Sequence, residues 1–472
     1  MHELTVVQQL AALRGKRISS RELTEHYLAR IERHGRALGA FITVTAELAR
    51  REAALADQRI ARGEWSPLCG LPLGIKDLSA TAGVRTTFGS AALAEHVPAV
   101  DAWTVGLLRR AGGVLVGKTN TPEFGATCYT HNDVSERPAV TPYGLGRYAS
   151  GSSGGAAAAV AGGLLPFGHA SDGAGSIRTP ASTCHLVGVK PSRGLVSPAP
   201  ASAFLSMGTE GPIARTVEDA ALLLDVMARP WPGDLYGWRP ATSFTKAIRR
   251  PAGRRLKIAV WTDTGLDGVA THPGSELAVR RAADLLTRLG HEVRPIPIPA
   301  RCDAPVRQAL KDLFVSSVGV VAPTLVPPDR LHLLRPYTQH LVTAGRTMPA
   351  SGVVGTQTVL ARYASTFLAG LDGYDLALTP TTNGPPVPVG HYFAHGPEGE
   401  AELMLAWSCH TPWVNLTGQP AVSLPCHLDE QGLPHGVQLV GRPRQDGELL
   451  AVAARLEEAG LWERHHPPCW NQ

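Results

Sequence analysis

Residues 147–191 read RYASGSSGGAAAAVAGGLLPFGHASDGAGSIRTPASTCHLVGVKP. Two turns rich in Gly and Ser, at residues 151–155 and 173–176, flank a run of Ala and Leu. Residues this small build a poor hydrophobic core, but they let backbone N–H groups approach a reacting atom closely. The spacing predicts a short helix over 155–162, a strand over 164–170, a loop over 172–176 and a second helix opening at Ser176-Ile177-Arg178. Strand, loop and helix in that order mark an α/β unit. They set Ser176 at a helix N-terminus, where the free amides and the dipole favour negative charge. The working reading is a serine nucleophile, a relay serine and a set of oxyanion-binding amides within this one stretch.

Working outward, the 472-residue length gives a prior of about three domains. The hydrophobic share of 44% and charged share of 18% suit a globular chain with a substantial core. The net charge of +5 is diffuse. Its densest cluster, Arg249-Arg250 with Arg254-Arg255, falls in a Pro/Gly/Arg/Trp-rich connection over 229–255 and is no nucleic-acid footprint. Seven widely spaced cysteines without a C-x-x-C argue against a disulfide framework and a zinc site. The N-terminus lacks the basic and apolar regions of a signal peptide, and no run of 18 apolar residues offers a membrane span. A cytoplasmic protein without a membrane or nucleic-acid partner is expected.

Elsewhere the periodicity alternates between helix and strand. Ser19 and Glu22 have capping-box spacing before an apolar stripe that runs to His34, and a second helix is expected over 45–61. Residues 69–78 read as a short strand ending on Lys76-Asp77. A helix over 101–110 precedes GGVLVGKTN, in which Gly112, Gly117, Lys118 and Thr119 fit the phosphate-loop pattern literally. The residues between them, Gly113-Val114-Leu115-Val116, favour a buried strand, and Pro122 disfavours the helix that such a loop requires. An amphipathic helix over 216–227, a strand–helix–strand unit over 256–298, helices over 300–370, a strand over 374–378, a hairpin over 421–440 and a helix over 448–459 complete the pattern. The tail HHPPCWNQ reads as unstructured.

An amide or ester hydrolase needs a nucleophile, a base and donors for the tetrahedral oxyanion. Ser176 has donors in the amides of Gly173, Ala174, Gly175 and Ser176. His169 and His185 are its nearest histidines, and neither sits in a recognisable elbow. Asp172 suits a structural role better than an orienting one. The other candidate base is Lys76. A lysine desolvated among Gly, Ala and Ser is neutral nearer pH 7, and Ser152 or Ser153 could bridge it to Ser176. Spacing alone leaves open whether these residues meet.

The chain resembles the amidase signature family. It carries GIKDL around Lys76, VGKTNTPEFG at 116–125, GSSGGAAAAVAGG at 151–163, SDGAGSIRTPAS at 171–182, VGVKPSRGLVS at 187–197, VNLTGQPAVSLP at 414–425 and GLPHGVQLVGRP at 432–443. The seven blocks are collinear, and the resemblance runs over nearly the whole chain. The resemblance implies an α/β fold: a large mixed, mostly parallel sheet covered by helices on both faces, an α/β/α unit. It implies a single domain over 1–472, with a core over 65–228 and 372–460 and a less family-like helical substrate-pocket region at about 300–370. It implies a Ser–cis-Ser–Lys triad: Ser176 as nucleophile, Ser152 after a cis Gly151–Ser152 peptide as relay, and Lys76 as base. The oxyanion hole would fall at Gly173, Ala174, Gly175 and Ser176, and substrate-binding residues at Gly125, Ala126, Cys128 and Ser153. Cys128 is expected to pack rather than react. No cofactor or metal is implied.

Departures from the family pattern are informative. Gly173 and Ala174 stand where Thr-Gly is usual. Gly173, with PASTC and KPSRG after it, looks like the branch containing 6-aminohexanoate cyclic dimer hydrolase. His185 replaces a common Gly, and ERPAVTPYGLGRYAS precedes the first turn. The expected activity is hydrolysis of linear or cyclic carbon–nitrogen amide bonds in a small-molecule substrate. The alternatives are the glutaminase subunit of a tRNA-dependent amidotransferase, a carbamate or ester hydrolase on the same triad, and a catalytically retired binding protein. The glutaminase would need partner subunits and a carboxylate-binding arginine, for which Arg330, Arg335 and Arg346 are available. Family members are often dimers, so the resemblance also brings the expectation of a homodimer.

Overall fold

The computed structural model describes residues 1–199, 207–249 and 254–472. Eleven strands among them form one sheet. They are β1 (Phe41–Val44), β2 (Pro72–Lys76), β3 (Val114–Thr119), β4 (Phe167–Asp172), β5 (Val187–Lys190), β6 (Thr209–Ala214), β7 (Lys257–Val260), β8 (Glu292–Pro295), β9 (Leu376–Pro380), β10 (Ala421–Leu428) and β11 (Pro434–Gly441). Their spatial order is β1-β3-β2-β4-β6-β5-β10-β11-β9-β7-β8.

The sheet is mixed, but it is not mostly parallel. Four neighbouring pairs are parallel, β2 with β3 and β4, and β7 with β8 and β9. Six are antiparallel. Parallel neighbours need a long crossover, and the sequence pattern shows those as helices. The strands it conceals, β1, β5 and β6, all pair antiparallel. β1 and β5 have only four residues each, and β6 (TEGPIA) contains Gly and Pro, which hide its strand character.

Alternation along the strands distributes apolar side chains to two faces. Leu115 of β3, Phe167 of β4, Leu376 and Leu378 of β9 and Leu439 of β11 join one core, shared with the helices Val217–Met227 and Asp446–Glu458. Val114, Val116 and Ala170 point the other way, into a core built on the helix Gly154–Ala161. On that second face Ala259, Ala377 and Val440 form a further core with Trp413 and Phe367, whose rings stack at 4.4 Å. A fourth cluster, around Tyr129, Tyr148, Tyr337, Tyr392 and Met404, brings in the helices Ala304–Leu325, Pro336–Thr347 and Gly396–Ser408.

Local signals explain most boundaries. Ser19 and Glu22 make the expected capping box on the helix Ser20–Leu38, and the helix Ala46–Ala61 follows Thr45. The phosphate-loop match is strand β3, fully buried, with Lys118 Nζ donating inside the protein to the Ser79 carbonyl at 3.0 Å and Thr86 Oγ1 at 2.6 Å. In the basic cluster, Arg249 pairs with Glu218 and Arg254 with Asp375, and Arg250 lies outside the described residues. The tail departs from expectation. Pro468–Asn471 forms a turn of 3-10 helix, with Trp470 buried between His466 and His2. Arg30 donates to the Cys469 carbonyl at 3.0 Å. The Trp470 ring, with Arg215 Cζ 5.3 Å from its centroid and two histidines around it, anchors a segment too short and Pro-rich to show a periodic pattern.

The helix Gly154–Ala161 lies close against the chain at its N-terminus. A Cβ on Gly155 would stand 2.2 Å from the Asn120 nitrogen and 2.6 Å from the Ala40 carbonyl oxygen, both backbone atoms that cannot swing aside. A Cβ on Gly173 would meet nothing within 4 Å. Gly155→Val is therefore expected to lose about 1–3 kcal/mol of stability, and Gly173→Ala about 0.5 kcal/mol or less. Chemical denaturation of the two variants beside the parent checks this.

Candidate active site

β2 ends on Lys76, and all five of its residues are buried. The Lys76 ammonium position is enclosed by hydroxyls. Its Nζ lies 2.8 Å from Ser152 Oγ, 2.8 Å from Ser153 Oγ and 2.9 Å from Ser171 Oγ. No carboxylate makes an ion pair with it among the described residues. Burial pushes its pKa down to about 7, while Asp172 and Glu210 pull the other way from a distance.

The turn carrying Ser152 contains a cis Gly151–Ser152 peptide, as the family resemblance implies. Neighbouring groups hold it on several sides. A Cβ on Gly151 would sit 2.7 Å from the Tyr129 backbone, so only glycine fits there. Ser150 Oγ donates to the Cys128 carbonyl at 2.9 Å, and Thr130 Oγ1 to the Ser150 carbonyl at 2.9 Å. Thr179 Oγ1 donates to the Gly151 carbonyl at 3.0 Å, and the Ser153 amide to the Ser176 carbonyl at 3.3 Å. These last two bonds tie the two Gly/Ser turns together.

Asp172, the last residue of β4, organises the second turn. Its carboxylate accepts from Arg178 Nε and Nη2, both at 2.9 Å, from Asn415 Nδ2 at 2.9 Å, and from the amides of Gly175 at 2.7 Å and Ile177 at 3.1 Å. Burial alone would raise this carboxyl. The adjacent Arg178, with Lys190 further off, outweighs burial and holds it well below the usual carboxylate range. Arg178 is itself fully buried and also donates to Gln438 Oε1 at 2.6 Å, the Thr411 carbonyl at 3.1 Å and Asn415 Oδ1. The structural role expected for Asp172 is the one it has. The helix after the turn begins at Arg178, two residues later than expected, and Ser176 sits in the turn before it.

Both turns face one cavity of about 280 Å³. Ser152, Ser171, Gly173, Ala174, Gly175 and Ser176 line one side, with Gly125, Ala126 and Cys128 beside them. The opposite wall is mostly apolar: Leu310, Phe314, Tyr337, Met404 and Leu405. Of the expected oxyanion donors, the Gly175 amide is already committed to Asp172. The Gly173, Ala174 and Ser176 amides have no protein acceptor among the described residues. Ser153 does not line the cavity. It lies beneath Lys76, where its Oγ–H donates to the Ser171 carbonyl at 3.1 Å. Lys76 does not line the cavity either, and reaches it only past Ser152 and Ser171. The Cys128 thiol is pushed up to about 12 by burial and points to Tyr392 Oη at 3.5 Å.

His169 and His185 lie off the cavity. His169 accepts from the Lys76 amide at 3.3 Å and faces Glu210, and His185 contacts the Glu463 carbonyl at 3.1 Å. Sequence reasoning missed Ser171, Thr179, Arg178, Thr411, Asn415 and Gln438. Each stands inside or beside a quoted block. The signal was polar residues in blocks of otherwise apolar strand and helix, but Arg178 meets Thr411, Asn415 and Gln438 from more than two hundred residues away in the chain, and Ser171 meets Lys76 from 95 away.

Comparison with known proteins places the chain in a class. A family described as Amidase matches residues 22–450. The chain belongs to this family, the amidase-signature hydrolases, and is an amide-hydrolysing enzyme. It is 38% identical to the putative amidase AmiB2 of Mycobacterium tuberculosis (strain ATCC 25618 / H37Rv), over 94% of each chain. It is 35% identical to one subunit of the glutamyl-tRNA(Gln) amidotransferase of Roseiflexus sp. (strain RS-1), over 99% of this chain and 98% of that one. Among solved structures it is similar to 6-aminohexanoate cyclic dimer hydrolase, with a TM-score of 0.91, 30% identity and 99% of each chain covered.

The Asp172–Arg178 pair makes a specific prediction. Asp172→Ala leaves a buried guanidinium without its carboxylate and frees the Gly175 and Ile177 amides. A loss of about 3–5 kcal/mol is expected, read as a lowered denaturation midpoint. Arg178→Ala should lose a similar amount, and the double variant less than the sum of the two.

Proposed function

We propose that the enzyme cleaves a carboxylic amide through an acyl-enzyme on Ser176, with Ser152 and Lys76 relaying the proton. The observation that carries this reading is the buried Lys76 amine, in contact with three serine hydroxyls and no carboxylate among the described residues, beside the cavity that Ser176 lines.

The proton inventory favours Ser152 as the relay. A neutral lysine has two N–H donors and one lone pair. The Ser153 hydroxyl proton is committed to the Ser171 carbonyl, so Ser153 accepts from Lys76. Ser171 offers its Oγ and its carbonyl, at 2.9 and 3.3 Å, to the second N–H. The lone pair is then left for the Ser152 hydroxyl, which lines the cavity. Ser152 passes its proton to Lys76 and takes the one from Ser176 as Ser176 Oγ attacks the amide carbon. The oxyanion falls among the amides of Gly173, Ala174 and Ser176, preorganised by the Asp172 network. On collapse the C–N bond breaks, Ser152 protonates the leaving nitrogen, and Lys76 returns a proton to Ser152. Water then enters by the same relay, and its attack releases the acid and Ser176. Carbamates and esters would be acylated by the same steps.

The glutaminase reading finds less support. Glutamine carries a carboxylate next to its amino group, and the three arginines considered for it do not line the cavity. Arg335 pairs with Asp133 and Arg330 reaches the Ala92 carbonyl. Lys311, the one Lys or Arg side chain in the lining among the described residues, is paired with Glu402 at 2.9 Å. A small neutral or apolar amide suits the wall better. The site draws on residues from Lys76 to Gln438, so this reading treats 1–472 as one functional unit. No helix among the described residues is long and apolar enough to cross a membrane. Seven unpaired cysteines suit a reducing compartment such as the cytoplasm.

Two measurements test the proposal. Ser176→Ala should lower kcat on aryl and alkyl amides by a factor on the order of 10⁴ or more, and Ser152→Ala should lose more than Ser171→Ala. Equal losses at Ser152 and Ser171 would remove Ser152 from its special place. The base must be unprotonated to act, so log kcat/KM should rise by one per pH unit below about 7 and level off above it. A profile that stays flat across that pH would assign the base elsewhere.

A further inference from the structure

A second cavity, of about 520 Å³, adjoins the catalytic one, and Gly208 lines both. The shared boundary continues along two helices. In the helix Ala304–Leu325, Leu310 and Phe314 face the catalytic cavity and Leu313 faces the second. In the helix Pro412–Thr417, Pro412 lines the first and Leu416 and Thr417 the second.

The charges of the second cavity are unbalanced. Arg193 and Arg444 both line it, and neither makes an ion pair among the described residues. The Arg193 guanidinium uses one nitrogen, Nη2, on the carbonyls of Asn415 at 2.6 Å and Leu416 at 3.1 Å. Its Nε and Nη1 have no protein acceptor among the described residues. Arg444 lies with Cζ 5.8 Å from the centroid of the Trp238 indole, on a rim shared with a neighbouring surface cavity. The same indole donates its Nε1–H to the Arg193 carbonyl at 3.0 Å, so Trp238 joins the two arginine residues. Among the described residues the only carboxylate in the lining is Asp234, and it is committed to Ser197 Oγ at 2.7 Å and the Trp231 amide at 2.8 Å. Many arginines have no ion pair among the described residues, and what sets Arg193 and Arg444 apart is that both line this cavity. These two stand together without a carboxylate partner among the described residues, next to the reaction site.

We propose that Arg193 and Arg444 form an anion-binding subsite for the leaving-group side of the substrate, so that the preferred amides are those whose amine portion ends in a carboxylate. This inference rests on the proposed reaction at Ser176. The acyl group would occupy the apolar catalytic cavity, and the amine portion would pass Gly208 toward the guanidinium pair. With Nη2 committed, the Nε–H and Nη1–H groups of Arg193 diverge and each offers a single hydrogen bond, so Arg444 would supply the second donor to a carboxylate. The reaction product would then be an amino acid with its two ends well separated, leaving through the second cavity.

The test compares N-benzoyl ω-amino acids of graded chain length with N-alkylbenzamides of matching length. The parent enzyme should prefer the carboxylated member at one chain length. In Arg444→Gln, the ratio of kcat/KM for carboxylated over neutral substrate should fall about 10-fold, mainly through KM. Arg193→Gln should do the same, with Arg193→Lys retaining part of the preference should the Gln variant fail to fold. A ratio that stays within about two-fold of the parent in Arg444→Gln and the Arg193 variant that folds would overturn the proposal. Calorimetric binding of the same compounds to Ser176→Ala reads the subsite without any turnover. Tighter binding of the carboxylated member there, with no hydrolysis by the parent, would keep the subsite and reject the reaction. Equal binding of both members, or an excess of inorganic phosphate competing as well as the carboxylated compound, would reject the subsite as a substrate site.

Discussion

A single amine kept out of water governs the architecture around it. Lys76 is fully buried, and that burial pushes its pKa down to about 7, with no described carboxylate in contact to offset it. A carboxylate in contact would favour the ammonium and remove the neutral amine that the proposed reaction calls for. The nearest strong candidate, Asp172, closes the adjacent strand. It is prevented from playing that part by Arg178, which engages both its oxygens, and by the loop amides that fill its remaining acceptor sites. The buried ion pair thus has two effects. It shapes the loop before Ser176, and it leaves Lys76 with serine hydroxyls for company.

Small residues make this arrangement possible. β4 can lie beside the helix Gly154–Ala161 because Gly168 meets Ala156, where its own Cβ would already be 3.1 Å away. Helix Arg178–Thr183 settles over β5 because Gly188 leaves room for Ala181. Gly436 of β11 does the same for Ser182. The Ala and Gly runs that look like poor core material are therefore what lets two backbone turns, from the ends of different elements, approach one amine. Tight packing of this kind tolerates no added methyl group.

Much of this was legible in advance. Capping at Ser19, the strand ending on Lys76, the false phosphate loop at β3 and the hairpin over β10 and β11 all follow from local pattern, which the structure keeps. The resemblance, rather than the pattern, supplied the cis turn, which the structure has, and the triad that is proposed here. What stayed hidden has physical causes. Strand direction is set by tertiary pairing, and three short or Gly/Pro-bearing strands that pair antiparallel changed the character of the sheet. The buried end of the tail depends on Trp470 finding His2, and the Cys469 carbonyl finding Arg30, from the far end of the chain. Ser153 was read with the substrate because it sits next to Ser152. A turn points successive side chains in different directions, and its hydroxyl goes beneath the lysine instead.

A lowered lysine pKa does not by itself identify a base in this protein. Three buried lysines have one. Burial pushes Lys118 down to about 8 and Lys190 to about 7, close to the value for Lys76. What separates them is the atoms around each nitrogen. Lys118 has Asp77 at 3.4 Å, together with a carbonyl and a threonine hydroxyl, all inside the core. Lys190 donates to the Pro191 carbonyl, and neither it nor Lys118 lines the catalytic cavity. Of the three, Lys76 alone touches hydroxyls that themselves face the cavity. It does not face the cavity itself, so any proton it takes must come through one of them. Desolvation lowers the lysine pKa at three positions, and the geometry of the serine turn singles out one of them for the proposed relay.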